Sequence, residues 1–344
     1  MDNYTLKVID IKKETEDTLT LCFKQPALRK VKYLAGQYLT LIFRINGRRY
    51  IRPYSFSSAP AVDRTLDVTI KRVPNGTVSN HIHDTVNVGD SLEAMPPMGD
   101  FVCETSYDQI FLWGVGSGIT PLISIAKQVL ATYNHTIVHL IYGNRNHDST
   151  IFLDKIDQLQ LQFTKRFVVR HFHTKLEINP NIQGLIEGRI DREKALNILE
   201  NTEALTSAHY ICGPSGLKSS VKEALTIKCI PENHIFSEDF ELVRDPKDFE
   251  TIQTQNIKLR FAEQEYTLEI IKGKSILESA LDAGIELPYS CQTGNCSTCR
   301  GKLISGAAKM IGLTKVREDL LADEYLTCCA HPLSHDVYIE IAKI

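Results

Sequence analysis

The chain has 344 residues, enough for two or three domains, and 43% of them are hydrophobic, an ordinary share for a globular protein. A formal charge of −3 gives no electrostatic case for nucleic acid or a membrane surface as partner. The first residues lack the layout of a signal peptide, and the longest apolar stretch, Ile110–Ala126, is broken by Gly114, Gly116, Gly118 and Pro121. The expectation is a soluble, cytoplasmic protein without membrane insertion, its oligomeric state left open.

Residues 1–102 carry short alternating runs at Thr5–Ile9, Thr18–Phe23, Tyr38–Phe43, Leu66–Lys71 and Ser91–Ala94, parted by turn pairs such as Asn46-Gly47 and Gly89-Asp90. This pattern predicts an antiparallel β-barrel. Across 103–240, strand-like runs (Ile110–Trp113, Thr136–Tyr142, Phe167–His171, Ala208–Cys212) alternate with helical ones (Pro121–Tyr133, Ile151–Gln162, Arg192–Leu199, Leu217–Leu225). Such alternation is the signature of a doubly wound α/β domain with a parallel sheet. Residues 241–256 are polar, have no period and read as a linker. From 257 to 344 come two strand-like runs, a helix near Ser275–Ala283, a cysteine cluster and a final strand at Val337–Ile341, which together read as an α+β domain.

Five of the nine cysteines crowd this last part. Without an export signal, that argues for metal or redox chemistry rather than disulfides. Cys291, Cys296 and Cys299, followed by Cys328, have the spacing of a plant-type [2Fe–2S] centre. Four thiolates hold such a cluster, and amide N–H groups of a loop containing Gly294, Ser297 and Thr298 can turn toward the sulfurs. Structural zinc is the rival, but zinc favours two short paired knuckles, and here the fourth cysteine stands alone. Cys328 and Cys329 compete for the fourth place; in extended backbone they would point to opposite sides, one ligating and the other packing.

Gly114-Val115-Gly116-Ser117-Gly118-Ile119-Thr120-Pro121 follows a strand and opens a helix. Glycines admit a pyrophosphate close to the backbone, and the first N–H groups of a helix favour anions. Thr120 is expected as N-cap and Pro121 as the first helical residue. A purely structural strand-to-helix turn is the alternative reading.

Arg52-Pro53-Tyr54-Ser55, then Lys71 and Gly76-Thr77-Val78-Ser79, resemble the two flavin motifs of the ferredoxin–NADP reductase superfamily. Tyr142-Gly143-Asn144-Arg145, Cys212-Gly213-Pro214 and Ser237-Glu238-Asp239-Phe240 extend the resemblance. Leu287–Lys302 resembles plant-type ferredoxin domains of β-grasp type, and Tyr325-Leu-Thr-Cys-Cys-Ala favours Cys328 as the fourth ligand, leaving Cys329 as a buried filler. End to end, the chain resembles reductases of multicomponent oxygenases, most of all those serving phenylacetyl-CoA epoxidases through Ile70-Lys-Arg-Val-Pro, Met95-Pro-Pro-Met-Gly and Gly188-Arg-Ile-Asp.

The resemblance implies roles. Arg52 would hold a flavin phosphate, Tyr54 would pack on the isoalloxazine, and the Ser55 hydroxyl would lie near flavin N5; Pro53 and Lys71 belong to the same site. Gly76, Val78 and Ser79 would line the pyrophosphate, which favours FAD over FMN. Gly116, Ser117, Gly118 and Thr120 would receive the pyridine nucleotide, with Arg145 at its adenosine end, favouring NADPH over NADH. Cys212, Gly213 and Pro214 would flank the nicotinamide, with a buried structural cysteine as the alternative for Cys212. Glu238 would relay a proton or carry an exposed charge; Phe240 would cover the flavin or pack a domain seam. Ser55, Cys212 and Glu238 are the catalytic candidates. The implied activity is hydride transfer from NAD(P)H to flavin, then single electrons through the cluster to an oxygenase or hydroxylase. Reductases of desaturases, steroid or aromatic-ring hydroxylases and hybrid-cluster proteins share this plan, and a non-enzymatic electron carrier is the alternative from another class.

Overall fold

The computed structural model describes residues 3–105, 107–175, 185–200, 202–313 and 316–343. In the N-terminal part β1 (Tyr4–Thr15), β2 (Thr18–Phe23), β3 (Tyr38–Ile45), β4 (Arg48–Ser55), β5 (Leu66–Lys71) and β6 (Ser91–Ala94) form a sheet in the order β4-β3-β6-β1-β2-β5. Helix α1 (Thr77–Thr85) lies between β5 and β6 in sequence. β1 pairs antiparallel with β2 and β6, and β2 with β5, while an isolated bridge joins Phe56 to Val68. Alternation fills the barrel: Leu6 and Val8 are fully buried, whereas Lys7 and Ile9 face out. β1 runs past the expected Ile9 to Thr15, with register shifts between Val8 and Asp10 and between Lys13 and Thr15. Pro53, which cannot donate to a ladder, sits in the edge strand β4, where proline is tolerated.

The middle part contains β7 (Gln109–Val115), α2 (Ile119–Thr132), β8 (Ile137–Asn144), α3 (Leu153–Gln162), β9 (Phe167–His173), β10 (Leu185–Glu187), α4 (Arg192–Ile198), β11 (Ser207–Cys212), α5 (Ser215–Ile227) and β12 (Ile235–Glu238). All strand pairs are parallel, in the order β10-β9-β8-β7-β11-β12. Successive residues feed two cores on opposite faces. Leu112, Leu140 and Tyr210 join one; Trp113, Ile141 and Ile211 join the other. The direction of winding reverses between β7 and β11, and ligands of open α/β sheets bind at such a switch point.

The C-terminal part contains β13 (Gln255–Phe261), β14 (Gln264–Ile270), α6 (Ile276–Asp282), β15 (Arg300–Ser305), β16 (Ala308–Met310), β17 (Glu324–Leu326), β18 (Ala330–Pro332) and β19 (Tyr338–Ile341). Its main sheet runs β14-β13-β19-β15-β17, mixed because β13 and β19 are parallel while the other pairs are antiparallel. A capping box starts α6: Ser275 accepts from the Glu278 N–H, and the Glu278 carboxylate accepts from the Ser275 N–H.

The chain divides into two compact units. One holds Tyr54–Asp239 with the N-terminal run as far as Leu41; the other holds the chain from Phe240 onward with Ile42–Pro53. Residues 241–256, which the sequence presents as a linker, pack within the second unit. Arg244 pairs with Glu278 at 2.7 Å, and Ile252 is buried. Among the described residues no helix is long and apolar enough to cross a membrane.

Candidate cofactor sites

Strand register builds the first site. Cys212, the last residue of β11, pairs with Gly114 of β7 on one side and Glu238 of β12 on the other. Gly114 in turn pairs with Tyr142, so residues from four separate stretches form one row at the carboxyl ends of the strands. The Tyr142 hydroxyl donates to the Gly116 carbonyl at 2.9 Å and steadies the glycine loop. A Cβ on Gly118 would lie 2.1 Å from the Cys212 carbonyl oxygen, so only glycine fits that contact.

Helix α2 starts at Ile119, directly after a 3-10 turn over Gly116–Gly118. Gly118 is therefore the N-cap, and the expected cap at Thr120 is corrected: its hydroxyl donates backward to the Ser117 carbonyl at 3.1 Å. Pro121 stands at the third helical position rather than the first, still within the turn whose N–H groups lack intrahelical acceptors. No side chain caps this helix start; the Ile119 N–H closes the preceding 3-10 turn and Pro121 has none, which leaves the Thr120 N–H in the first turn to face an anion.

Cys212 is buried, and desolvation first, with Glu238 and Asp239 next, holds its thiol well above the usual value. It is a neutral, compact wall, not a thiolate nucleophile. Glu238 is half-buried, and the adjacent Asp239 is held by Lys218 at 2.5 Å. Gly213 and Pro214 lead into α5, with Pro214 as its N-cap. Arg145 is exposed just beyond β8.

Arg52, Pro53, Tyr54 and Ser55 are the last four residues of β4, with Ser55 buried and the other three half-buried. The Arg52 guanidinium donates to the Ile51 carbonyl at 2.8 Å. Gly76 is the N-cap of α1 without a side-chain cap, so the first N–H groups there, those of Thr77 and Val78 included, can meet phosphate oxygens. Ser79 accepts from the Val73 N–H at 3.1 Å, and the Val78 side chain is buried. Lys71 is engaged by Asp17 at 3.3 Å. Phe240 is 46% exposed.

Side-chain interactions link Cys291 with Cys296 and Cys299 with Cys328, and the Cys328 sulfur also lies 3.5 Å from that of Cys329. Donation from Cys291 brings the Cys296 thiol down to about 6. The N–H groups of Thr293 and Cys296 point at the Cys291 sulfur from 3.4 and 3.3 Å. Among the described residues no three His, Cys, Asp or Glu side chains converge on a single ion position. Cys291 with Cys296 and Cys299 with Cys328 fit a centre with two irons, each taking two thiolates. Thr327 fixes the second pair, since its N–H and its hydroxyl both donate to the Cys299 carbonyl, at 3.0 and 2.9 Å.

The extended geometry expected for Cys328 and Cys329 is corrected. Residues 327–329 form a turn closed by the Cys329 N–H on the Leu326 carbonyl at 2.9 Å. Both thiols are consequently on one side of the chain.

Family models agree with this geometry. The oxidoreductase FAD-binding domain matches residues 5–103, the oxidoreductase NAD-binding domain 112–223, and the 2Fe-2S iron-sulfur cluster binding domain 260–333. The ferredoxin reductase component of 3-ketosteroid-9-alpha-monooxygenase from Rhodococcus rhodochrous is 32% identical, covering 97% of this chain and 96% of its own. A subunit of 1,2-phenylacetyl-CoA epoxidase from Escherichia coli K12 is 29% identical, covering 98% and 97%. The solved structure of phthalate dioxygenase reductase superposes with a TM-score of 0.69 over 98% of each chain at 22% identity. The chain belongs to the ferredoxin–NADP reductase superfamily.

As a reductase of this superfamily it is an NAD(P)H oxidoreductase that uses FAD and a [2Fe–2S] cluster. Two supports of its sites escape sequence reading. Arg317 donates to the carbonyls of Gly294 and Cys296, to the Ser297 hydroxyl at 2.7 Å and to both oxygens of Asp319, bracing the ligand loop. Lys218 and Asp239 form a pair that is largely out of solvent beside Cys212 and Glu238. Charged residues on a helix and in a loop carry no sequence signal for such contacts; the Arg-x-Asp spacing of 317 and 319 is a faint one.

Proposed function

We propose that this reductase supplies electrons to a multicomponent oxygenase: hydride from NAD(P)H reaches FAD, and electrons leave singly through the cluster. The observation that carries the reading is the pairing of Cys291 with Cys296 and Cys299 with Cys328, in a chain whose parallel sheet aligns Gly114, Cys212 and Glu238. When bound, the flavin exchanges a hydride for single electrons, chemistry that is the cofactor's own.

The residues supply binding and electrostatics. Gly116, Ser117, Gly118 and the start of α2, including Thr120, bind the nucleotide pyrophosphate. Arg52 would neutralise a flavin phosphate with Pro53 beside it, Gly76, Val78 and Ser79 would line the flavin pyrophosphate, Tyr54 would pack on the ring, and Ser55 would offer its hydroxyl near N5. Cys212, kept neutral by burial, offers the nicotinamide a small surface next to Gly213 and Pro214. Glu238 would take part in a proton or hydrogen-bond relay, and Phe240 would cover the flavin. Lys71, tied to Asp17, supports the site from its edge.

As acceptor we favour a diiron oxygenase of the phenylacetyl-CoA epoxidase type, supported by the shared motifs and the relative at 29% identity. A steroid-hydroxylating oxygenase is the second reading, supported by the relative at 32%. Arg145 supports NADPH as donor. Anaerobic titration with NADPH and with NADH tests the circuit: the flavin bleaches and the cluster gives a reduced-state EPR signal. A cluster that stays oxidised with either donor contradicts it. Turnover with each purified oxygenase then separates the two acceptors, and the ratio of kcat/KM values for the two donors decides the nucleotide.

A further inference from the structure

Within the second unit, the main chain of Ile51 is gripped by side chains that flank a cluster ligand. Ile51 lies in the edge strand β4 and is buried, so its outward polar groups need protein partners. Its N–H donates to the Tyr289 hydroxyl at 3.1 Å. Its carbonyl accepts from Gln292 Nε2 at 3.3 Å and from Arg52 at 2.8 Å. Tyr289 and Gln292 stand two residues before and one residue after Cys291. Gln292 also adopts a left-handed φ of 58°, which a side-chain-bearing residue occupies at a cost. Glycine would relieve that cost but would remove the amide that reaches Ile51.

We infer that Tyr289 and Gln292 are positioning residues for electron transfer from flavin to cluster. They fasten the strand segment carrying Arg52 to the loop carrying Cys291. The inference rests on the function proposed above. With both cofactors bound, each transfer would take one electron from the reduced flavin and convert one ferric ion of the cluster to ferrous; reduced pyridine nucleotide would supply the pair, and the proton released would go to solvent. Two hydrogen bonds from residues flanking Cys291 thus hold the Arg52 segment to the Cys291 loop within this unit.

The test uses the full chain with both cofactors and three variants, Tyr289→Phe, Gln292→Gly and the pair together. Gln292→Gly removes the amide while easing the backbone, so it does not add strain. Stopped-flow reduction by NAD(P)H should show unchanged hydride transfer to flavin, followed by flavin-to-cluster transfer slowed roughly tenfold in the double variant, as a small misplacement of reacting groups would produce. Iron content, cluster EPR and cluster potential should stay at wild-type values, and hydrogen exchange at the Ile51 amide should rise in Tyr289→Phe. An unchanged flavin-to-cluster rate overturns the inference, as does a slowing that accompanies a shifted cluster potential. A wild-type cluster that NAD(P)H never reduces overturns the proposed function as well, which separates the two failures.

Discussion

The sulfur of Cys329 lies 3.5 Å from the sulfur of Cys328, both inside the turn that ends the Leu-Thr-Cys-Cys run. Cys328 also meets Cys299, whereas Cys329 is set against the loop, its sulfur 2.9 Å from where a Cβ on Gly294 would be. Gly294 has a φ of +76°, so that position is closed to other residues on two counts. Cys328→Ala should therefore lose iron and the visible absorption of the cluster, while Cys329→Ala keeps both. Iron and acid-labile sulfide assays decide; a full cluster in Cys328→Ala would make Cys329 the ligand.

Arg317 is a brace with a measurable worth. Its side chain is 12% exposed and serves two carbonyls of the ligand loop. Arg317→Met should destabilise the C-terminal part by about 2 kcal/mol, the range for hydrogen bonds to a charged group. Arg317→Lys should restore little, because a single ammonium cannot span the fork's several acceptors. Denaturation followed through cluster absorbance reads both variants; full rescue by lysine would reduce Arg317 to a simple charge.

Gly116 and Gly118 should respond differently to alanine. At Gly118 the new methyl group meets backbone, the Cys212 carbonyl, which cannot swing aside. At Gly116 nothing lies within 4 Å, although φ is +55° and costs about 1 kcal/mol for alanine. Gly118→Ala should raise KM for NAD(P)H on the order of tenfold or more, the loss that follows displacement of a positioning loop. Gly116→Ala should fold with a modest loss of stability. Equal kinetic effects would refute the distinction.

Acid should weaken the middle domain. Phe111 is stacked between His139 and His209, with ring centroids 4.4 and 4.9 Å away. Trp113 Nε1 donates to His209 Nδ1 at 3.4 Å, an interaction that requires a neutral acceptor. Desolvation holds His139 and His171 at about 4 and His209 at about 3, against an ordinary 6.5. As pH falls below 6.5 the unfolded chain takes up protons that the folded chain refuses, so stability drops toward pH 4 and returns as pH rises. Each histidine contributes a slope of about 1.4 kcal/mol per pH unit within that window. His139→Phe, which keeps the stack, should remove roughly a third of the slope in denaturant melts taken across the window. An unchanged slope would show that His139 titrates normally.

Much of this architecture is legible in the sequence because burial imposes a period. β2, β5 and β6 coincide with the alternating runs, and the parallel strands with apolar ones. β4 escapes notice because Arg48, Arg49, Arg52 and Pro53 break its alternation, although it carries the flavin motif. β10, β16, β17 and β18 are three residues long, too short for any period to register. At the sites, cysteine spacing suggests three ligands and leaves two candidates for the fourth, but does not reveal that a turn brings Cys329 next to Cys328. The glycine loop is visible, yet the helix begins one residue before Thr120, because a 3-10 turn runs into it. Tyr289, Gln292, Arg317 and Lys218 act through contacts remote in sequence, which local pattern does not encode.

The turn at Thr327 also ties the second cysteine pair to a helix. Its carbonyl receives the Leu277 N–H of α6 at 3.0 Å, and its own donors close on the Cys299 carbonyl. Helix α6 is in turn secured by its capping box. A change at Ser275 is therefore relayed through Leu277 and Thr327 to Cys299 and Cys328, which makes the cap of a helix a lever on cysteines it does not touch.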